Sequence, residues 1–476
     1  MLLRVRHPRR QGPGKAAKSA SPQGVPLNHR LLVILLLNGA LMTPGCGLAV
    51  RGVRDVVQSI DRSSRGPGQH GPLDAREKAW AKTAWRYFEV NRHPETGLVG
   101  TVDRHPTASM WQAGDVISAL IAARELDLVT SKVFDERVSQ LLQFLNTMPL
   151  AFGVAPNRAY HVTTGKAVDY AGKPEIMGWS AIETGRLLVW LKILRERHPR
   201  YAEYIDRIVG RLRLPQLVDG CGTLYAGTRA QGKMERFPEG RLGYLQYAAY
   251  GFDLWGVPVA RSLRLVPVEV TRVLGIDLPH DARDPRATGV LAPVVTLPWT
   301  LLGLELDWGR TASRPSDPEL ISVAERVHRI QKARFEIEGA LTARTDHPLS
   351  RSPWFVHDSI FASGYPWNVL TDAGEHRPEL ALVATRAAFG MWALWRGRFT
   401  DALVSNLEHA WGDRGFFEGR YERTGGYETA ISSSTNAVVM EALLFKVQGA
   451  LHRQSPNAPA MPKLELPDSC PAGSTT

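Results

Sequence analysis

Residues 178–197, Gly-Trp-Ser-Ala-Ile-Glu-Thr-Gly-Arg-Leu-Leu-Val-Trp-Leu-Lys-Ile-Leu-Arg-Glu-Arg, carry the pattern that decides the fold. Glu183, Leu187, Trp190 and Leu194 fall at i, i+4, i+7 and i+11, one face of an α-helix. The same spacing predicts helices over 75–91, 109–126, 131–148, 179–197, 199–212, 241–255, 318–338, 378–397, 400–410 and 433–450. Ser131 and Asp317-Pro318 supply starts, and Gly210 and Gly397 supply stops. Helices of similar length, joined by alternating short and elaborate loops, predict an all-α fold: an (α/α)6-type toroid with its loops on one face. Short β-hairpins are expected in the loops at 155–172 and 217–228.

The chain has 476 residues, 44% hydrophobic and 22% charged, an ordinary globular composition that excludes collagen, coiled coil and extended disorder. Its formal charge of +11 is unevenly spread. Arg4, Arg6, Arg9, Arg10, Lys15, Lys18 and Arg30 precede the first acid, and without them 51 basic residues face 47 acidic ones. A body so close to neutral has no nucleic-acid footprint, and no nucleic-acid partner is expected. The apolar run 31–42 spans only ~18 Å as a helix, too short to cross a bilayer. Residues 1–45 therefore read as a signal peptide and the protein as exported, to the periplasm or cell envelope. Cys46 stands where a lipoprotein signal places its lipidated cysteine; ordinary cleavage nearby and an uncleaved anchor are the alternatives. Contact with a membrane is expected only through this leader or lipid. Residues 46–72 read as a tether, 73–453 as the folded body and the Pro-rich 454–476 as a disordered tail. Because Cys470 lies in that tail, no bridge to Cys221 is expected.

Several motif matches fail on context. Gly66-Pro-Gly-Gln-His-Gly71 spells a dinucleotide fingerprint but sits in the tether, and Gly227–Lys233 resembles a phosphate loop but continues with Met234. There is no HExxH, GxSxG or DxDD run, and the 14 dispersed histidines include no i, i+4 pair. Neither a metal nor a cofactor is expected. What remains is acids on greasy faces. Glu183 heads its stripe, Asp115 lies above Ala119, Ala122 and Leu126, Glu239 opens a helix after Pro238, and Glu428, Ser432 and Asn436 share a helix start. Buried acids are costly unless paired or used, so capping and ion pairing compete with catalysis at each. Of thirteen tryptophans, Trp111, Trp179, Trp299, Trp354, Trp367 and Trp411, with Tyr365, lie at loop–helix junctions. Aromatic faces beside carboxylates and amides are what a carbohydrate site needs.

Gly97–Asp103 running into Met110-Trp111, Gly178–Leu188, Glu239-Gly-Arg-Leu-Gly-Tyr244-Leu-Gln-Tyr247, Tyr365-Pro-Trp-Asn368, and Thr424–Glu428 through Ser434–Glu441 together resemble an exported bacterial domain family of unknown function. That family is related to glycoamylase-like and β-1,2-glucanase (α/α)-barrel proteins, and the resemblance spans roughly 74–450. It implies glycoside hydrolysis, with one protonated acid and one ionised carboxylate. Glu239 is assigned as general acid and Glu183 or Asp115 as base. Trp111, Trp179, Tyr244, Gln246, Tyr365, Trp367, Glu428 and Asn436 are the expected sugar-binding residues, and a glucan or other polysaccharide is the expected partner. Gln112 and Leu245-Gln246 stand where relatives often carry acids. A catalytically lapsed glucan binder and a scaffolding lipoprotein are the rival readings.

Overall fold

A computed structural model of the chain describes residues 68–230, 233–265, 268–283, 291–311, 314–453, 462–466 and 470. The leader, Cys46 and residues 46–67 of the tether lie outside the described residues. Among the described residues twelve α-helices follow in order: α1 Ala75–Val90, α2 Met110–Glu125, α3 Ser131–Thr147, α4 Ala181–Arg197, α5 Ala202–Arg211, α6 Tyr244–Asp253, α7 Ala260–Leu263, α8 Leu297–Leu306, α9 Pro318–Glu338, α10 Thr385–Leu394, α11 Arg398–Asn406 and α12 Ser433–Gln448. The even-numbered helices pack each against the next, and α12 packs against α2, so these six follow one another in cyclic order. The odd-numbered helices lie against them: α1 on α12 and α2, α3 on α2, α5 on α3 and α4, α7 on α6, α9 on α8 and α11 on α10.

Local signals explain most starts. Asp74 and Ser109 form capping boxes, and the side chains of Thr130, Ser180, Asp317 and Ser432 accept backbone N–H groups of α3, α4, α9 and α12. α8 has no polar stripe, because every residue from Leu297 to Leu306 is buried. A helix covered on all sides carries no amphipathic period, so the spacing argument passes over it. The expected helix 378–397 is divided. Pro378–Leu380 is a single 3-10 turn, Leu382–Ala384 is a buried strand paired with Gly419–Tyr421, and only Thr385–Leu394 is α-helical. α4 and α6 approach backbone to backbone: a Cβ on Gly185 would lie 2.6 Å from the Ala248 Cα.

The body is helix-rich without being all-α. Among the described residues, eight small sheets of two or three strands lie in the connections. Tyr225–Ala230 pairs with Lys233–Pro238, so the phosphate-loop lookalike is a β-hairpin. The hairpin Val268–Val273/Ile276–Asp281 falls in a stretch where none was expected. The tail also departs from expectation. Leu464 N–H donates to the Gly256 carbonyl at 2.9 Å, Leu466 packs on the core, and Cys470 is bonded to Cys221. Residues 68–71 of the tether likewise dock, through Gln69 N–H to Ala393 O and Gly71 N–H to Lys446 O.

One ionic cluster joins five of the six ring helices. Arg186 of α4 donates to Asp115 Oδ1 of α2 at 3.0 and 2.8 Å, to Glu305 Oε1 of α8 at 2.7 Å and to Glu441 Oε1 of α12 at 3.0 Å. It also reaches Tyr247 Oη of α6 at 2.8 Å, and that hydroxyl donates to Glu305 Oε2 at 2.6 Å. Every one of these side chains is fully buried. Burial holds the Glu441 carboxyl well above its ordinary range and raises that of Glu305, with Arg186 opposing both. Asp115 was expected at the mouth as a base. Its Oδ1 takes Arg186 and its Oδ2 takes the Ser433 and Ser434 hydroxyls at 2.9 and 2.7 Å, which makes it a structural anchor. Arg186→Met leaves these carboxylates uncompensated and is expected to cost about 3–5 kcal/mol in denaturant unfolding. Arg195→Met removes only the solvent-facing Arg195–Asp206 pair and is expected to cost under about 1 kcal/mol.

Candidate functional site

The first turns or N-caps of all six ring helices meet at one cavity of about 670 Å³. Ser109 and Trp111 come from the start of α2, Ser180 and Glu183 from α4, Tyr244 from α6, Leu297 from α8, Arg386 from α10, and Ser432 and Ser434 from α12. The volume falls within the ~300–1,000 Å³ typical of small-molecule sites. Six helix N-termini also turn their positive ends toward one space, which favours carboxylates there.

Glu183 and Glu239 share one wall. Glu183 occupies the third position of α4, its N–H held by Ser180 Oγ at 3.1 Å. Glu239 follows the hairpin strand Lys233–Pro238 and caps α4 rather than its own helix. Its Oε2 accepts from Ala181 N–H at 2.5 Å and Ile182 N–H at 3.2 Å. Arg158 Nη2 lies 4.0 Å from Glu239 Oε1. Burial pushes the Glu183 carboxyl up to about 7; Arg158 opposes that shift and the charge of Glu239 adds to it. Burial raises Glu239 as well, against Arg158 and the two backbone donors.

Asp346 belongs to the connection that enters α10, which stands opposite α4 in the ring order. It accepts from Tyr244 Oη at 3.0 Å, from Arg241 Nη2, and from His357 Nδ1 at 2.8 Å when that nitrogen carries a proton. Burial would raise Asp346, yet Arg241 and His357 outweigh it and hold the carboxyl well below the usual range. His357 Nε2 in turn lies 3.1 Å from Asp372 Oδ1. The cavity thus contains one carboxyl poised to keep its proton near neutral pH and another held ionised.

Of the aromatic candidates, two line the cavity. Trp111 lies over Arg186, 4.8 Å from guanidinium carbon to ring centre, and edge-on to Tyr244 at 5.8 Å. The others have different work. Trp179 is fully buried, donating to Tyr225 O at 3.1 Å. Gln246 is buried too; it accepts from Gly243 N–H and donates to Arg264 O, capping α6. Glu428 accepts from Ser350 and Ala430 N–H groups and from Tyr421 Oη. Asn436 bridges Phe416 N–H and Ser432 O. Trp367 packs under Arg334, and Tyr365 is exposed on the short hairpin Phe361–Ala362/Tyr365–Pro366. None of these six borders the cavity. The spacing argument also passed over Arg158, Tyr170, Arg241, Asp346 and His357, which do border it. Arg241 was expected to open a helix over 241–255 but precedes the observed start at Tyr244, and the other four lie in connections with no helical period; the polar run Arg344-Thr-Asp346-His347 between apolar segments was the available signal.

A family model matches residues 79–449, most of the chain. The chain belongs to the DUF3131 family of proteins of unknown function. No curated protein matches it. Among solved structures, a candidate glucoamylase from Bacteroides fragilis superposes on this DUF3131 chain with a TM-score of 0.59 at 13% identity, covering 81% of this chain and 94% of that one. An endo-β-1,2-glucanase from Chitinophaga pinensis, in complex with sophorotriose and glucose, gives 0.57 at 13% identity, covering 79% and 93%. A β-1,2-glucanase from Parabacteroides distasonis gives 0.53 at 14% identity, covering 80% and 58%. At these identities the likeness is one of fold.

The coupling of the two glutamates is open to direct test. Glu239→Gln removes the neighbouring negative charge, so the Glu183 carboxyl is expected to titrate below about 7. Difference infrared spectroscopy across a pH series reads this midpoint, and an unmoved midpoint would show that the two groups do not interact.

Proposed function

We propose that this DUF3131 chain is an exported glycoside hydrolase of the cell envelope that cleaves a bacterial β-glucan, with β-1,2-linked glucan the first candidate. The observation that carries the reading is a single cavity in which Glu183 keeps a proton up to about pH 7 while Asp346 is held ionised. The cyclic order of the even helices supports an (α/α)6 toroid, and the fold-level likeness to β-1,2-glucanases and candidate glucoamylases supports a polysaccharide substrate. Membrane contact is assigned to the leader or a lipid on Cys46, and neither metal nor nucleic acid enters the scheme.

In this scheme Glu183 protonates the glycosidic oxygen as its bond to C1 breaks, Asp346 as the ionised partner on the other side of the ring offsets the positive charge developing at C1, and a water then forms the new bond to C1 and returns a proton to the Glu183 carboxylate. That departs from the roles expected earlier: Glu183 is the acid rather than the base, Asp346 takes the place of Asp115, and Glu239, whose Oε2 accepts from the N-terminus of α4, is in neither role. Glu239 is a positioning residue that tunes Glu183, and Arg158 orients it. Trp111 and Tyr244 offer ring faces to the sugar, and six helix N-termini surround its hydroxyls.

A binding protein without turnover is the second reading, favoured by Gln112. This residue borders the cavity, but its amide oxygen is taken by the Ser109 N–H and hydroxyl at 3.0 and 2.9 Å. Incubation of residues 68–476, which keep the docked tail and the Cys221–Cys470 bond, with β-1,2-, β-1,3-, β-1,4- and β-1,6-glucans, followed by chromatography of products, separates the two. Oligosaccharide release from one glucan is expected, and binding without release would establish the lapsed site. Glu183→Gln and Asp346→Asn are each expected to lower kcat about 10²–10⁴-fold; Glu183→Gln is expected to retain the unfolding midpoint, whereas Asp346→Asn, which leaves Arg241 without its carboxylate, is expected to lower it. The donor form of Glu183 exists below its midpoint, so kcat/KM is expected to fall as pH rises through about 7. A rate still rising there would remove Glu183 as the acid.

A further inference from the structure

The strand Phe355–Asp358 turns alternate residues to two sides. Phe355 and His357 border the cavity, and Val356 and Asp358 are fully buried in the body. Continuing that alternation would send Trp354 to the buried side. The backbone breaks the pattern instead: Trp354 has φ +69°, the left-handed region that L-residues other than Gly, Asn and Asp seldom enter. Its indole is 65% exposed. The loop is held by its main chain, with Trp354 N–H donating to Arg351 O at 2.9 Å and Leu349 N–H donating to Trp354 O at 2.8 Å.

Among the described residues the indole makes no hydrogen bond, ring contact or cation contact, whereas buried Trp179 and half-exposed Trp411 each donate their ring N–H to a carbonyl. A large apolar face kept in water by an unfavourable backbone contributes nothing to stability, and such outliers gather at ligand sites. The position adds the second observation. Pro348 before the loop and Phe355 after it both border the cavity, so the loop that carries Trp354 is part of its rim while Trp354 itself lies outside the lining.

We infer that Trp354 is a stacking platform for a sugar unit lying outside the cavity, which makes the site a cleft for a linear glucan chain rather than a pocket for a short one. The inference rests on the glycan reading above and deepens it. The flat C–H face of a pyranose lies against the exposed indole, while the neighbouring units continue past Phe355 toward Glu183 and Asp346. Affinity then grows with chain length until the Trp354 position is filled, and a disaccharide does not sense the ring.

Calorimetric titration of the protein with linear β-1,2-gluco-oligosaccharides, from disaccharide to octasaccharide, tests this. For the wild type, affinity is expected to rise with length. For Trp354→Ala, octasaccharide affinity is expected to drop about 10-fold, with disaccharide affinity unchanged and Trp354→Phe restoring most of the loss. Equal octasaccharide affinity in Trp354→Ala and wild type would overturn the platform while leaving the glycan reading intact. Equal loss for short and long chains would overturn it too, as would a wild type that binds none of the series; the last outcome also removes the β-1,2-glucan reading. Length-dependent binding lost in Trp354→Ala but without hydrolysis would keep the platform and sink the hydrolase.

Discussion

The guanidinium of Arg186 is the constraint around which the rest of the molecule is arranged. It is fully buried in the ring and touches side chains from α2, α6, α8 and α12 while belonging to α4. A buried cation is tolerable only when its donors are all matched, and here matching requires the helices to be in register with one another. Apolar packing alone would let neighbouring helices slide, since Leu and Ala faces are interchangeable along their length. The ionic cluster removes that freedom. It also stands directly below the cavity, because Trp111 lies over Arg186 and the Ser434 hydroxyl joins Asp115 to the cavity wall.

Registration has a chemical consequence. With the helices fixed, their N-terminal turns end at a common level, and the cavity forms where these ends meet. The two sides then differ in what surrounds each carboxyl. Glu183 has a nearby like charge and incomplete compensation, so burial dominates and its proton is retained. Asp346 has Arg241, Tyr244 and His357 within hydrogen-bond distance, so compensation dominates and it ionises. One set of walls therefore yields an acid and an anion from chemically similar groups.

Much of the fold was legible because helical periodicity is local. The stripes of α1, α3, α4 and α9 stand in the sequence within a residue or two of their ends, and Asp317 caps α9 as expected, whereas α3 is capped by Thr130, one residue before the expected Ser131. α8 escaped because a helix buried on every side has no polar face to mark its period. The strand Leu382–Ala384 was absorbed into a helix because its three buried residues match either element, and its partner lies 39 residues away in the sequence by the pairing of Leu382 with Tyr421, roughly the spacing of a whole helix pair. The disulfide escaped for a similar reason: proline spacing in the tail says nothing about Cys221, which sits in a turn near the Gly256 contact of Leu464.

The sequence by itself determined that this is a helix-rich chain, where its helices begin, and that acids and aromatics sit at their heads. These follow from near-neighbour geometry. Only the tertiary structure decided which acids face a cavity and in what state. Asp115 and Glu183 look alike in sequence, each an acid near the start of an apolar stripe. One is consumed by Arg186 from the neighbouring helix, and the other is left at the cavity wall. Asp346 carried no periodic signal, yet it is the carboxylate held ionised. Burial and charge pairing depend on groups distant in the chain; they set the role at each of these positions, and at Glu183 and Asp346 the protonation state as well.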